Sequence, residues 1–429
     1  MILVFLIHVI SGEIAFIVYI KLIFMVKNVI IVCDCAHVIG GIENVAFSSA
    51  KELVKQNINV FIFSAQGAID QSLIDSGVHV ICLNQFDILS NPHRLQAVFQ
   101  GLYNQTAHKR FEEFLKDFSP EDTIVHFHSW TKAMSSSLFY VTAKFHFRIA
   151  ITLHDYFTVC PNGGFYNYRG KHICDYTPMS FKCIMCNCDV RSYPQKIYRV
   201  LRQLFQSRAI FKNKEINIIS ISNHTREAVL PFIGKKIKRC FYLKNPVVLE
   251  KCTQVAIDKN DTYLFIARLS KEKGAELFCR ALSDLNLKGY VLGDGELMEE
   301  LRSRYPKIKF CGWVNGDEKE KLLHYGKGLI FPSLWYEGSP LTILEMKSKG
   351  IPCIVPDRCA AAEEIEDGVT GFVFKTGDIH SLKQAIMKYE EADILTLQKN
   401  ILSTFNADDY TPKTHTRNLL NIYSEILNN

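Results

Sequence analysis

Two glutamates eight positions apart frame the stretch Trp335-Tyr336-Glu337-Gly338-Ser339-Pro340-Leu341-Thr342-Ile343-Leu344-Glu345. The pattern puts one carboxylate just before a helix and the other inside it. Ser339 is a good N-cap, and Pro340 suits the first helical position, where a missing N–H costs nothing. The backbone N–H groups of Gly338 to Leu341 would then lie free at the positive end of the helix dipole, where a phosphate is stabilised. Glu345 falls about 7.5 Å along that helix, at about 1.5 Å per residue. A nucleotide-sugar could lay its diphosphate on the helix start, with one carboxylate near each end. The plain alternative is an exposed loop followed by an ordinary amphipathic helix.

A second element adds cations. Thr262-Tyr263-Leu264-Phe265-Ile266-Ala267 reads as a buried strand, and Arg268-Leu269-Ser270-Lys271-Glu272-Lys273-Gly274 follows it directly. Such a strand delivers Arg268 and Lys273 to the carboxyl edge of a sheet, where ligands bind in open α/β folds. There they would neutralise a diphosphate leaving group as its charge grows. Two further features sit at strand ends. Gly40-Gly41 separates a strand from a helix and would let backbone approach a ligand closely. His154-Asp155 closes the strand Ala150-Ile151-Thr152-Leu153 and should face a cleft, with Asp155 placed to orient the imidazole.

These residues resemble the signature of a large family of retaining GT-B glycosyltransferases, family four, which includes sucrose synthase and many bacterial polysaccharide transferases. Glu337 and Glu345 match its E-x7-E pair, Arg268 and Lys273 its basic pair, and Gly40-Gly41 its amino-terminal glycine loop. The resemblance runs from about Val26 to the end. It implies that Glu337 binds donor-sugar hydroxyls and Glu345 the ribose hydroxyls. It also implies that His154 touches the donor sugar near the reacting carbon. Donor binding would fall to Gly40, Gly41, Arg268, Lys273, Gly338, Ser339, Pro340, Leu341 and Glu345, and catalysis to His154, Glu337, Arg268 and Lys273.

The elements that must carry these residues alternate. Strands at Val29–Cys33, Asn59–Phe63, Val78–Leu83, Thr123–His126, Ile149–Leu153 and Ile216–Ile221 are separated by helical patterns. After Leu243-Lys244-Asn245-Pro246-Val247 the pattern restarts with strands at Tyr263–Ala267, Gly289–Leu292, Ile308–Cys311, Leu329–Phe331 and Cys353–Val355. The fold class is α/β: two doubly wound, Rossmann-like parallel-sheet domains facing a cleft. The divisions are 1–25, an apolar leader; 26–245, the acceptor-side domain; 246–408, the nucleotide-sugar domain; and 409–429, a helix crossing back to the first. A length of 429 residues suits two domains. With 48% hydrophobic and 22% charged residues the chain is globular, and its +6 net charge is well mixed, without a nucleic-acid footprint.

The leader, Ile2 to Phe24, is apolar but broken by Glu13. It lacks the charged start and cleavage site of a signal peptide. A membrane anchor would bury that glutamate at a cost of about 2.5–3.5 kcal/mol or more. Translation starting at Met25 is the favoured expectation, a membrane anchor the alternative.

The region 160–190 is an insertion rich in cysteine: Cys160, Cys174, Cys183, Cys186 and Cys188, out of 14 in the chain. Cys160, Cys174, Cys183 and Cys186 supply the four thiolates of a structural zinc, with Cys188 as the alternative ligand. An iron–sulfur cluster and simply buried thiols are the other readings. Tyr193 to Lys214 then carries Lys196, Arg199, Arg202, Arg208, Lys212 and Lys214, with Ile197, Val200, Leu201, Leu204 and Phe205 at helical spacing. That is a basic amphipathic helix, which either packs its apolar side on its own domain or touches anionic lipid.

The activity expected is retaining transfer from a nucleoside-diphosphate sugar, of UDP or GDP type, to an acceptor glycan or lipid-linked glycan. No nucleic acid is expected as a partner. The place expected is the cytoplasm, at the inner face of the cytoplasmic membrane if the helix touches lipid, in bacterial cell-surface polysaccharide or lipopolysaccharide assembly. No DxD-like motif sits at a strand end, so no catalytic metal is expected. A glycoside hydrolase would have no use for the basic pair. A nucleotide-sugar epimerase and a scaffold subunit that keeps a transferase fold are the remaining alternatives.

Overall fold

The computed structural model describes residues 2–4, 21–23, 25–249 and 253–428. The leader lies mostly outside them, apart from an antiparallel pairing of Ile2–Val4 with Lys21–Ile23. No helix among the described residues is long and apolar enough to cross a membrane.

The first sheet has strands β1 (Asn28–Val32), β2 (Asn59–Ser64), β3 (His79–Cys82), β4 (Thr123–Phe127), β5 (Arg148–Leu153), β6 (Ile216–Ser220) and β7 (Arg239–Tyr242). The second has β8 (Thr262–Ile266), β9 (Lys288–Leu292), β10 (Lys309–Gly312), β11 (Gly326–Ile330), β12 (Cys353–Pro356) and β13 (Gly371–Phe374). Their orders are β7-β6-β5-β4-β1-β2-β3 and β10-β9-β8-β11-β12-β13, every pairing parallel. The short strands β7 and β13 were not foreseen; Arg239-Cys240-Phe241-Tyr242 and Gly371-Phe372-Val373-Phe374 are four-residue edge strands. The helices that bear on the site are α1 (Gly41–Val54), α2 (Arg94–Leu102), α3 (Tyr193–Ile210), α4 (Asn223–Ile233), α5 (Ala275–Asp284), α6 (Leu341–Ser348) and α7 (Pro412–Leu427).

Parallel strands covered on both faces must be apolar at every position, and β1 shows why its sequence is an unbroken run. Ile30 and Val32 point into one core with Phe63, Val125 and Phe127, while Val29 and Ile31 point into the opposite one with Val60, Ile62 and Ala46. The second sheet does the same: Tyr263 and Phe265 enter one core, Leu264 the other. Helix α7 leaves the second domain and packs Leu419, Ile422, Tyr423, Ile426 and Leu427 onto the first. This is the GT-B architecture, and its two carboxyl strand edges face each other across a cleft.

Candidate active site

The second sheet builds its half of the cleft with glycines that no other residue could replace. Between β8 and α5 the chain turns at Gly274, φ +73°, where a Cβ would stand 2.0 Å from the carbonyl oxygen of Pro332. After β9, Gly293 and Gly295 take φ +151° and +156°; Cβ atoms there would meet the carbonyl oxygens of Ala267 and Leu269 at 2.0 and 2.5 Å. The Leu269 N–H donates to the Asp294 carbonyl at 2.9 Å, so the two loops are sewn into one floor. The Gly293-Asp294-Gly295 loop was missed in the sequence, although a G-x-G directly after a strand is a signal for it.

On that floor the expected charges meet. Arg268 Nη2 bonds Glu272 Oε1 at 2.9 Å but leaves its side chain 68% exposed to the cleft. Lys273 pairs with Glu337, whose Oε1 also accepts from Ser333 Oγ at 3.2 Å. The Lys273 ammonium lies 5.3 Å over the Trp335 ring. Glu345 pairs with Lys319 Nζ at 2.7 Å. Both signature glutamates are thus held by a lysine, each partly open to solvent.

The helix start differs by one residue from expectation. Leu341, not Pro340, is the first helical residue, and Pro340 occupies the cap with φ −77° and ψ 97°. Ser339 makes no side-chain cap. Pro340 brings no N–H of its own, so the free donors of the turn come from its neighbours.

On the other side, His154 follows β5 and its Nε2 lies 2.9 Å from His128 Nδ1, just beyond β4. His126 joins the group, bonded to Tyr423 Oη at 2.6 Å and Thr152 Oγ1 at 2.7 Å. Burial pulls His154 down to about 3, so it is a neutral imidazole across the physiological range. The expected partner was wrong: Asp155 Oδ1 accepts from the Phe157 N–H at 3.0 Å and caps its own loop, while burial pushes its carboxyl up to about 6. His128, two residues past the strand pattern, carried no sequence signal as a partner. Gly40 caps α1 in extended backbone (φ −171°), and a Cβ on Gly41 would meet nothing within 4 Å. The glycine pair is therefore not demanded by the fold, and it leaves open space at the β1 edge.

The halves meet at the turn before α6. A Cβ on Gly338 would lie 3.0 Å from Thr225 Cγ2 and 3.9 Å from the His154 carbonyl. Tyr336 stacks on His224 with centroids 4.5 Å apart and accepts from Arg358 Nη2 at 3.0 Å. Glu363 receives the N–H groups of Asn223 and His224, at 3.0 and 2.5 Å, at the start of α4. Tyr336 and Glu363 were not singled out in the sequence; nothing marks a residue that acts only across a domain boundary.

The five cysteines of the insertion are gathered but remain free thiols. Lys196, 1% exposed, stands among them, its Nζ donating to Cys183 Sγ at 3.7 Å, and Cys186 Sγ accepts from Asn167 Nδ2 at 3.7 Å. Burial pushes the Cys188 thiol up to about 11. Among the described residues no three His, Cys, Asp or Glu side chains come to metal-ligand spacing. The Lys196 ammonium stands beside Cys183 in the middle of this group.

Residues 250–401 match the model of the family described as glycosyl transferases group 1. The match lies within the second domain. The glycosyl transferases group 1 match ends within the helical stretch that precedes α7, and so covers β8 to β13 with both signature glutamates. Among curated proteins, the chain is similar to a UDP-Gal:alpha-D-GlcNAc-diphosphoundecaprenol alpha-1,3-galactosyltransferase of Escherichia coli, 27% identical over 44% of this chain and 56% of that protein. It is also similar to the lipopolysaccharide 1,6-galactosyltransferase of Escherichia coli K12, 28% identical over 35% of this chain and 46% of that one. The chain thus spans about half the length of the curated relatives it matches. Among solved structures, a glycosyltransferase from Rickettsia africae superposes with TM-score 0.63 and 20% identity, over 94% of this chain and 99% of that one. Anabaena HepE in complex with UDP-glucose superposes with TM-score 0.60 and 15% identity, over 93% and 99%. These structures share the fold.

Proposed function

We propose that the protein transfers a sugar from a nucleoside-diphosphate sugar to an acceptor hydroxyl with retention of anomeric configuration, in bacterial cell-surface polysaccharide or lipopolysaccharide assembly. The observation that carries this reading is the Lys273–Glu337 pair set beside the α6 start, with Gly338 next to it lying close to the His154 carbonyl. A diphosphate entering there takes Arg268 and Lys273 as counter-ions, and the lysine passes from carboxylate to phosphate without being stripped of a partner. Glu337, released, accepts from donor-sugar hydroxyls; Glu345 accepts from the ribose. His154, neutral, bonds the sugar without placing a second positive charge beside an oxocarbenium-like carbon. The acceptor hydroxyl attacks on the face the diphosphate leaves, and the departing phosphate oxygen takes its proton.

The curated relatives with polysaccharide and lipopolysaccharide names, and the neighbours solved with UDP or UDP-glucose, support a UDP-type donor and a glycan or lipid-linked acceptor. Action at the inner face of the cytoplasmic membrane belongs to the same proposal. No metal ion is given a step. A structural zinc in the 160–188 loop rests on cysteine spacing alone and requires the thiols to displace Lys196; elemental analysis giving one zinc per chain would carry it. The test of the main reading is a thermal-shift screen against UDP, GDP, ADP and their sugars. Stabilisation by one nucleotide and its sugar, lost in Glu337→Ala together with transfer, is the expected result. A folded protein indifferent to all of them overturns the reading.

A further inference from the structure

Helix α3 divides its apolar residues between two faces. Its buried face mixes Val200, Ala209 and Ile210 with Lys196, Gln203 and Gln206, while Leu201, Leu204 and Phe205 are each more than 40% exposed. The inward polar groups are used: Gln203 Nε2 donates to the Thr158 carbonyl at 3.0 Å, and Gln206 Nε2 to that of Phe157 at 2.6 Å. Helix α2 lies against it, locked where Tyr198 Oη donates to the Val98 carbonyl at 2.9 Å, and exposes Leu95 (79%) and Phe99 (69%). Part of the apolar pattern of α3, Leu201, Leu204 and Phe205, is therefore open to solvent, as are Leu95 and Phe99 of α2.

Between the two helices opens a cavity of about 450 Å³, floored by Phe157 and the loop at Thr131–Lys132. Five cations line it, Arg94, Lys132, Arg191, Arg199 and Arg202, against one carboxylate, Asp87. Arg199 is neutralised by Asp189 at 2.8 Å. Among the described residues the other four have no carboxylate within salt-bridge distance; Arg94 and Arg202 find only backbone carbonyls. Asp87 gives one oxygen to the N–H groups of Leu89 and Ser90 and the other to Gln66. Asp34, behind the floor, spends both oxygens on the N–H groups of Lys132, Ala133 and Met134, and so fixes the cationic loop. Four cations without a carboxylate partner among the described residues give the cavity a positive potential that an anion would offset. The cavity lies at the carboxyl edge of the first sheet, three residues from His154 through Phe157.

We propose that this cavity holds the phosphate or diphosphate of a lipid-linked acceptor, with Arg94, Lys132, Arg191 and Arg202 on the anion and the lipid chain along Leu95, Phe99, Leu201 and Leu204. The assignment rests on the transferase reading for its role and names the acceptor class that reading left open. A soluble phosphorylated acceptor offers the same anion, but it has no use for the exposed apolar residues on the two helices that line the cavity.

Titration calorimetry on the full chain with farnesyl diphosphate, inorganic diphosphate and farnesol, at submicellar concentrations, tests it. Farnesyl diphosphate should bind at least about tenfold more tightly than either fragment, since anion and chain add. Arg202→Met and Lys132→Ala should each weaken it about tenfold, and steeply less so at high salt. The double variant Phe99→Ser/Leu204→Ser should weaken farnesyl diphosphate and leave inorganic diphosphate unchanged. Unaltered affinity in both Arg202→Met and Lys132→Ala overturns the site. Inorganic diphosphate binding as tightly as its farnesyl ester overturns the lipid assignment in favour of a soluble anion. A parallel UDP thermal shift reports folding of each variant and separates the two readings: wild-type protein that binds the lipid diphosphate but no nucleotide sinks the transferase and not the site.

Discussion

In the C-terminal half of the cleft every cation singled out for the donor has a carboxylate beside it: Arg268 with Glu272, Lys273 with Glu337, and Lys319 with Glu345. In the N-terminal half the groups around His154 are neutral imidazoles, and four cations of the α2–α3 cavity have no carboxylate at salt-bridge distance among the described residues. The two halves prepare for charge differently. Under the proposed function a donor would exchange places with a side chain, and the free protein already pairs those charges. In the proposed acceptor cavity the ligand itself would be the counter-charge.

Breaking the donor side should cost most. Lys273→Ala or Glu337→Ala should lower transfer by about 10²–10³-fold, the size of losing one preorganised charged contact at a leaving group. A steady-state assay of either variant running near the wild-type rate would dissolve the contrast. His154→Ala should cost about 10–100-fold in kcat, within the range of single polar contacts to a transition state. Asp155→Asn should cost little, because Asp155 caps a loop and does not touch the imidazole; equal losses in the two variants would return Asp155 to the site. Glu345→Gln should weaken nucleotide binding about tenfold with kcat nearly kept, since a ribose contact is the same in ground and transition states.

The smallest effect is on stability. His126, His128, His154 and His415 all lie in or against the N-terminal domain, and burial holds each below the ordinary histidine value, His154 at about 3 and His415 at about 4. The unfolded chain therefore binds more protons below about pH 6.5, and stability falls as pH drops from there toward 4. Asp155, raised to about 6, has the opposite sign: its cost appears as pH rises past its unfolded value and is full above 6. Hydrogen exchange at pH 7 and 5 should show the N-terminal sheet loosening first. Equal acid sensitivity of the two sheets would show that the imidazoles are not what separates them.

Sequence reading succeeded where chemistry sits in one contiguous run, as in Arg268–Gly274 and Glu337–Glu345, because strand, turn and helix there fix the geometry locally. It failed where a side chain's task depends on a distant element. His128 gains meaning only from β5 and Glu363 only from the start of α4. Helix α3 shows it most clearly: Gln203 and Gln206 turn inward to the loop carbonyls of Phe157 and Thr158, while Leu201, Leu204 and Phe205 of its apolar pattern turn outward and Val200 stays buried. Periodicity tells which residues share a face and not which way the face turns.

Helix α7 closes the core of a domain whose sheet is complete by residue 242, and His126 waits on Tyr423 for its hydrogen bond. During synthesis the chain emerges in order, so the first domain must remain unfinished while the second, drawn from one continuous stretch, is made in full. The molecule reverses the usual amino-first sequence of domain completion. A chain released before residue 412 would hold a finished second domain beside an open first core, exposing Val29, Ile31 and Ala46 to whatever chaperone attends it.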